Sequence, residues 1–382
     1  MTRAPRLTVI VPTCDRPDTL RSCLETILAQ SCGDLQLVVS DNFSRPETAE
    51  VIHSFSDPRI TAIRTDRRLG MSAHWDFALP HARGEWITVV GDDDGLLLDG
   101  AERFLALAES AGVDAISSLR CMYVWPRAGN TGEGDLTVLH GSGYEVRDSR
   151  EWMETVLRRG ESYADLPWIY TGGFVRRTLM DTIRARMGRC FSSMNPDIYS
   201  AVAVASTIPR YGYSHEPFSI GGTSSHSNGL KCFTTKREDK KQIAFFSEND
   251  LEFLPSLGDG FVPSLSLFVY EAYLRAASLR SYSIDTDTFE QLCLAIAISK
   301  DDTRAHTVEY CREVARANGL DVAGLEAASN RMRFQLSARK KMRRLKASLT
   351  IGGRPRKVVV RSAKIDTVMA AAREAARQLA HA

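Results

Sequence analysis

The sequence predicts an α/β protein organised around a doubly wound open sheet. Two observations carry that expectation. Residues 7–118 alternate short apolar runs with amphipathic stretches of helical period, the pattern of strands joined by helical crossovers. The runs are also rich in Val and Ile with few polar interruptions, as strands covered on both faces require. With 382 residues, 43% apolar and 25% charged, the chain has enough material for one large domain and an accessory region.

The elements follow in order. Leu7–Val11, Leu35–Val39, Ile60–Arg64, Trp86–Val90 and Asp114–Ser118 read as buried strands. Between them lie helical patterns at Asp18–Gln30, Pro46–Phe55, Met71–Ala82 and Asp99–Ser110. In the first, Leu20, Leu24, Ile27 and Leu28 share one face. Residues 119–230 are less regular, with a Gly-rich hairpin-like patch at Gly129–Gly134 and helices near 148–159 and 176–187. A further helix opens at Asn195-Pro196, because Asn suits the N-cap and Pro the first helical position. Residues 238–325 read as mostly helical, and a long basic segment follows.

Composition narrows the function classes. No basic, then apolar, then small-residue leader opens the chain, so no signal peptide is expected. Even Val262–Leu279 is broken by Glu271 and Arg275, which argues against a spanning helix. Eight scattered cysteines without a Cys-x-x-Cys pair fit reduced thiols in a cytoplasm rather than a zinc ribbon or a disulfide scaffold. The net charge of +2 conceals an asymmetry: residues 327–382 carry +13 and the remainder −11. A basic tail on an acidic body implies a separate electrostatic task.

The chemistry concentrates where strands end. The first strand runs into Pro12-Thr13-Cys14-Asp15, the second into Asp41, the third into Asp66, and the fourth into Asp92-Asp93-Asp94 between Gly91 and Gly95. In a parallel sheet these ends share one edge, where open α/β folds bind ligands. Asp is also a common turn and cap residue, and an acidic triplet alone could be a solvated loop. Four strand ends of four are harder to assign to turn chemistry. Adjacent carboxylates repel, so a cation, typically a divalent metal, is expected to offset the triplet. No dinucleotide fingerprint follows the first strand and no P-loop occurs anywhere. A nucleotide diphosphate fits what remains, with base and ribose on Asp15 and Asp41 and pyrophosphate on a metal at the triplet.

Leu7–Leu20, Val38–Asn42, Leu69-Gly70 and Gly84–Asp94 resemble family 2 glycosyltransferases of the GT-A fold, and the resemblance extends over roughly residues 5–230. It implies a GT-A-type mixed sheet, with a Rossmann-like nucleotide-sugar half at 1–118 and an acceptor half at 119–235. A helical accessory region at 236–326 and a basic helical tail at 327–382 would follow. Pro12, Thr13, Asp15, Asp41 and Arg68 would line the donor site, and Arg68 could instead simply pair with Asp66. Asp92 and Asp93 would face ribose and sugar, and Asp94 would ligate Mn2+ or Mg2+. Asp197, in the first turn of the helix after Asn195, resembles the family's acceptor-side base; the alternatives are a mere complement to the helix dipole, or Asp165 in the catalytic role. His226, in the small polar loop Ser219–Gly229, is a second candidate metal ligand, and Trp168, Tyr170 and Gly172 are acceptor-side candidates. His74 departs from the family, which often has Asn there, and Asp15 stands where Asn is also common.

The expectation is therefore an inverting, metal-dependent transferase that moves one sugar from a nucleotide donor, with a UDP-sugar favoured. The acceptor would be a glycan or lipid-linked hydroxyl in cell-surface polysaccharide or glycoconjugate synthesis. The QxxRW motif and membrane helices of processive synthases are absent. The alternatives are a nucleotidyltransferase on the same sheet, though the first loop lacks its glycines, and a non-catalytic nucleotide- or glycan-binding scaffold. In Arg339–Leu349, Met342, Leu345 and Leu349 fall at spacings of three and four beneath a basic face. Such a helix suits an anionic membrane surface, at the inner face of the cell membrane, or docking on the acidic body in cis or in a homodimer. Nucleic acid is disfavoured because no reading module accompanies the charge.

Overall fold

The computed structural model describes residues 4–126, 128, 132–225, 227, 247–259, 261, 264–349 and 356–380, with the backbone alone at 343–349. Thirteen strands are found among these residues: β1 (Leu7–Thr13), β2 (Leu35–Asp41), β3 (Ile60–Arg64), β4 (Trp86–Val89), β5 (Gly95–Leu96), β6 (Ala115–Ser118), β7 (Cys121–Val124), β8 (Gly134–His140), β9 (Tyr144–Asp148), β10 (Gly173–Arg176), β11 (Arg210–Ser214), β12 (Ser219–Thr223) and β13 (Arg356–Ser362). The helices of the sheet region are α1 (Pro17–Leu28), α2 (Pro46–His53), α3 (Met71–Ala78), α4 (Gly100–Ala111), α5 (Ser149–Arg159), α6 (Arg177–Met187) and α7 (Pro196–Thr207).

Two sheets result. The larger has eight strands in the order β3-β2-β1-β4-β10-β6-β11-β9. Its first four strands are parallel, as the strand–helix alternation predicts. Every residue of β1 except Pro12 is buried, and its two faces feed different cores: Leu7, Val9 and Val11 pack with α1 and α4, while Ile10 faces Trp75 and the helices of the second half. That double burial is why the strand reads as an unbroken apolar run.

The fifth expected strand, β6, does not pair with β4. The antiparallel β10 lies between them, paired to both. The sheet is therefore mixed, with β10 delivered by a connection of some fifty residues after β6 that local periodicity does not report.

The smaller sheet has the order β13-β8-β7-β12-β5. Here the structure corrects the expectation of a helical tail at 327–382: Arg356–Ser362 is a strand, antiparallel to β8 along its whole length. The helix Val368–Ala380 then buries Val368, Ala371, Ala372 and Ala375 against Leu97, Tyr123, Leu136 and Ile220. Charge dominated the sequence reading of this region, but the alternation in β13 and the small-residue stripe of the helix fit a sheet edge and a close helix–sheet contact.

Helices Leu265–Arg275, Thr288–Ile298 and Arg304–Ala317 pack beside α5 and α7 and extend the core that backs the second half. Helix Leu325–Leu349 starts on this layer through buried Leu325 and Ser329, and from Ser337 to Met342 every residue is exposed. The seven cysteines among the described residues are unpaired.

Candidate active site

The carboxyl edge of the parallel strands is held together by hydrogen bonds between strand ends. Register places Thr13 beside Asp41. The Thr13 hydroxyl donates to Asp92 Oδ2 at 2.8 Å, tying the end of β1 to the acidic turn after β4. Asp41 is buried; its Oδ1 accepts the Ser44 amide at 2.9 Å and its Oδ2 pairs with Arg64 at 2.5 Å. Asp15 adopts φ +54°, a left-handed conformation that a short polar side chain tolerates. Its carboxylate accepts the Arg45 amide at 2.8 Å and pairs with Arg68 at 2.9 Å. Burial opposes its charge, yet these partners prevail and hold its proton affinity below the ordinary Asp range. Asp66 is exposed, away from these bonds, and Arg68 turns to Asp15 and Glu248 instead.

The acidic turn is buried at all three positions. A Cβ on Gly91 would meet Tyr170 Oη at 2.4 Å and Asp94 Oδ2 at 2.8 Å, so the turn needs a glycine there. The three carboxylates have different partners. Asp92 bridges Thr13 and Arg16, whose Nη1 lies 2.9 Å from Oδ1. Asp94 Oδ2 accepts the Thr171 hydroxyl at 2.5 Å and the Gly91 amide at 3.1 Å, and Oδ1 accepts the Gly222 amide at 2.6 Å. Asp93 bonds through Oδ2 alone, from Ser224 Oγ at 2.6 Å and Ser227 Oγ at 2.5 Å, with the Ser224 amide at 3.3 Å. Among the described residues its Oδ1 accepts no hydrogen bond.

Burial raises the proton affinity of Asp92 despite Arg16, and burial together with the Asp93 charge raises that of Asp94 to about 6. The turn therefore stores uncompensated negative charge, the condition under which a cation binds. Among the described residues no three His, Cys, Asp or Glu side chains converge as a ready metal cage. A Mg2+-type ion held with a diphosphate needs only one or two carboxylates, the rest coming from phosphate and water, and this hard oxygen donor set fits.

Beside the turn lies an aromatic cluster drawn mostly from the second half. Tyr170 stacks on Trp75 with centroids 5.6 Å apart, and Trp168 meets Tyr170 and Tyr163 edge-on at 5.5 and 5.6 Å. Trp168 is almost wholly buried, with its Nε1 unbonded. Gly172, at φ +93°, carries the carbonyl that accepts both the amide and the hydroxyl of Ser118. Asp197 sits in the first turn of α7 and accepts the Tyr163 hydroxyl at 2.7 Å. Burial raises its proton affinity. Arg120 stacks over Trp168 at 4.7 Å, and its charge reaches Asp197. Asp165, the other candidate base, is drawn away: its backbone carbonyl and carboxylate face Arg147, which is sandwiched between Trp152 and Tyr213.

His226 lies outside the described residues. His74 is buried with Nε2 2.8 Å from Ser40 Oγ, and burial lowers its pKa to about 4. It is a neutral packing residue under β2, not a ligand-facing one. Sequence reasoning gave no role to Arg16, Tyr163, Arg120 or Ser224, and placed Thr171 only within the Tyr170–Gly173 stretch on the acceptor side. Arg16 and Thr171 adjoin motif residues, but nothing in a linear sequence says that Thr171 lies within hydrogen-bonding distance of Asp94, 77 positions earlier.

Residues 8–133 match the model of a family described as Glycosyl transferase family 2. Over 110 residues the chain is 31% identical to the succinoglycan biosynthesis protein ExoO of Rhizobium meliloti, a match covering 29% of this chain and 32% of that protein. Over 96 residues it is 32% identical to a PGL/p-HBAD biosynthesis glycosyltransferase of Mycobacterium bovis, covering 24% of this chain and 37% of the relative. The chain thus spans about a third of the length of these curated relatives. Among solved structures, S. aureus TarS 1-349 in complex with UDP-GlcNAc aligns over 88% of this chain and 92% of that one, at 13% identity and a TM-score of 0.49. Residues 8–133, the segment that carries the row of strand-end acids, thus match the glycosyl transferase family 2 model.

Proposed function

We propose that the protein is a metal-dependent inverting glycosyltransferase that moves a single sugar from a nucleotide-diphosphate donor, a UDP-sugar by preference, to a glycan or lipid-linked hydroxyl. Polysaccharide or glycoconjugate assembly is the setting, in keeping with the printed names of the relatives. One observation supports the reading: a buried acidic turn, tied to the end of β1 through Thr13, lies beside Tyr170 of an aromatic cluster whose Tyr163 holds a separate carboxylate, Asp197. Donor and acceptor chemistry thus have distinct acids.

In this reading Pro12, Thr13, Asp15, Asp41 and Arg68 receive the nucleoside. Asp92, held by Thr13, faces the ribose and sugar. A Mn2+ or Mg2+ ion would neutralise the departing diphosphate. The sequence assigned that ion to Asp94, but both Asp94 oxygens are engaged by two amides and a hydroxyl, whereas Asp93 Oδ1 is free of hydrogen bonds. We therefore assign the direct contact to Asp93 and the rigid support of the turn to Asp94. Trp168, Tyr170 and Gly172 shape the acceptor side. Asp197 takes the proton of the acceptor hydroxyl as its oxygen bonds to the anomeric carbon and the bond to the diphosphate breaks. Burial, which raises its proton affinity, favours that transfer.

The test is a thermal-shift panel of nucleotide sugars with Mn2+, Mg2+ or EDTA, followed by donor turnover with the best binder. A metal-dependent shift with one nucleotide class and release of its diphosphate is expected. No shift with any nucleotide would refute the donor site. We also propose that helix Leu325–Leu349 meets an anionic membrane surface. Phe334 and Met342 are 77% and 62% exposed on a helix crowded with Arg and Lys. No helix among the described residues is long and apolar enough to cross a membrane.

A further inference from the structure

Arg16 occupies an unusual place. It is the last residue before α1, mostly buried, and its guanidinium contacts Asp92 at 2.9 Å inside the acidic turn. Burial disfavours its charge, but Asp92 and Asp93 together raise its proton affinity further still. It is thus a fixed positive charge among three buried carboxylates. It sits on Asp92, next to the one carboxylate, Asp93, that keeps an oxygen free. Three carboxylates without a counter-charge would be costly at this burial. Arg16 offsets part of that cost, and by the same charge it repels any divalent ion approaching the turn.

We propose that Arg16 is the resident cation of the site: in the donor-free protein it holds Asp92 and keeps divalent metal out, and on donor binding it shifts to the diphosphate as the metal takes its place. The planar fork of a guanidinium suits both partners, carboxylate and phosphate. Metal entry is then coupled to nucleotide entry. The free protein binds metal poorly, and a diphosphate, by offering Arg16 an alternative partner, opens the acidic turn. Neither bond making nor proton movement is involved; the exchange is one of ion pairs. This inference rests on the assignment of the turn to a nucleotide diphosphate and deepens it.

The experiment is a Mn2+ titration followed by electron paramagnetic resonance on the full chain, without nucleotide and then with UDP. Wild type should bind Mn2+ weakly alone and much more tightly with UDP. Arg16→Gln should bind Mn2+ alone at least about tenfold more tightly than wild type, because one buried like charge has been removed, and should gain far less from UDP. Unchanged or weaker Mn2+ binding by Arg16→Gln, with UDP still bound by wild type, would overturn the resident-cation proposal and leave the donor-site reading intact. Tighter Mn2+ binding by Arg16→Gln with no effect of UDP on either protein would support the displacement of metal by Arg16 and refute the donor-site reading. If Arg16→Gln does not fold, Arg16→Met, which keeps much of the side chain's length without its charge, should show the same tighter Mn2+ binding without nucleotide, and no gain there overturns the proposal.

Discussion

At the scale of single residues, the site divides its acids by what surrounds them. Asp197 has one hydroxyl donor, in Tyr163, and a burial that favours proton uptake. Asp197→Asn should keep metal-dependent donor binding and lose about 10²–10⁴-fold in transfer rate; unaltered transfer would remove it as base. Asp94 makes a pH prediction with a definite sign. Its native proton affinity, about 6, exceeds the unfolded value of 3.8. Between those values the native state holds a proton that the unfolded chain has lost. The stability of the metal-free protein conferred by this group therefore declines as pH rises from about 4 to about 6 and is level above. Asp92, Asp93, Tyr170, Thr171 and Arg16 face or border the turn. Melting curves in EDTA should show wild type losing stability relative to Asp94→Asn across that window. A pH-independent difference would show that Asp94 is not the protonated member. The separation of Asp197 from the triplet was legible in the sequence, and the division within the triplet was not. The triplet was visible there, but which of three adjacent carboxylates is tied down depends on Gly222 and Thr171, far along the chain.

At the scale of elements, the small sheet braces the acidic turn from behind. β5 follows Asp94 directly, and a Cβ on its Gly95 would touch Val368 at 3.0 Å and Thr26 at 2.9 Å. The helix Val368–Ala380 and α1 therefore grip the strand that anchors the turn. Val368→Ala should cost about 1–3 kcal/mol, and Val368→Asp should also weaken the proposed metal-dependent donor binding while leaving Asp15 and Asp41 untouched. Loss of stability without any change in donor binding would show that the bracing does not reach the turn. The parallel strands and their helices were legible because each is a local pattern of one period. β10 and β13 were not, since a four-residue antiparallel insertion and a basic edge strand are specified by partners that lie far off in sequence.

At the scale of the whole molecule, charge and shape diverge. The sequence placed +13 on residues 327–382 and assigned it to one helical tail. The structure splits that region into a helix that extends beyond the body and a strand–helix pair that is built into it. The proposed membrane contact is therefore assigned to the first part alone. Binding to vesicles containing anionic lipid should be lost on replacing Arg339, Lys340 and Lys341 by Gln, with donor binding preserved; retained sedimentation with the vesicles would count against the helix as the contact.

The bracing of the acidic turn by residues 356–380 also orders events in time. β1 to β4 and their acids emerge from the ribosome long before the strand and helix that complete the small sheet. The nascent chain can form the carboxyl edge of its parallel strands early, but the turn gains its support only when this late segment has been made and has docked. A truncated or stalled product would then carry Asp15 and Asp41 without a firm acidic turn, so that, under the proposed function, competence is reserved for chains translated through to that point.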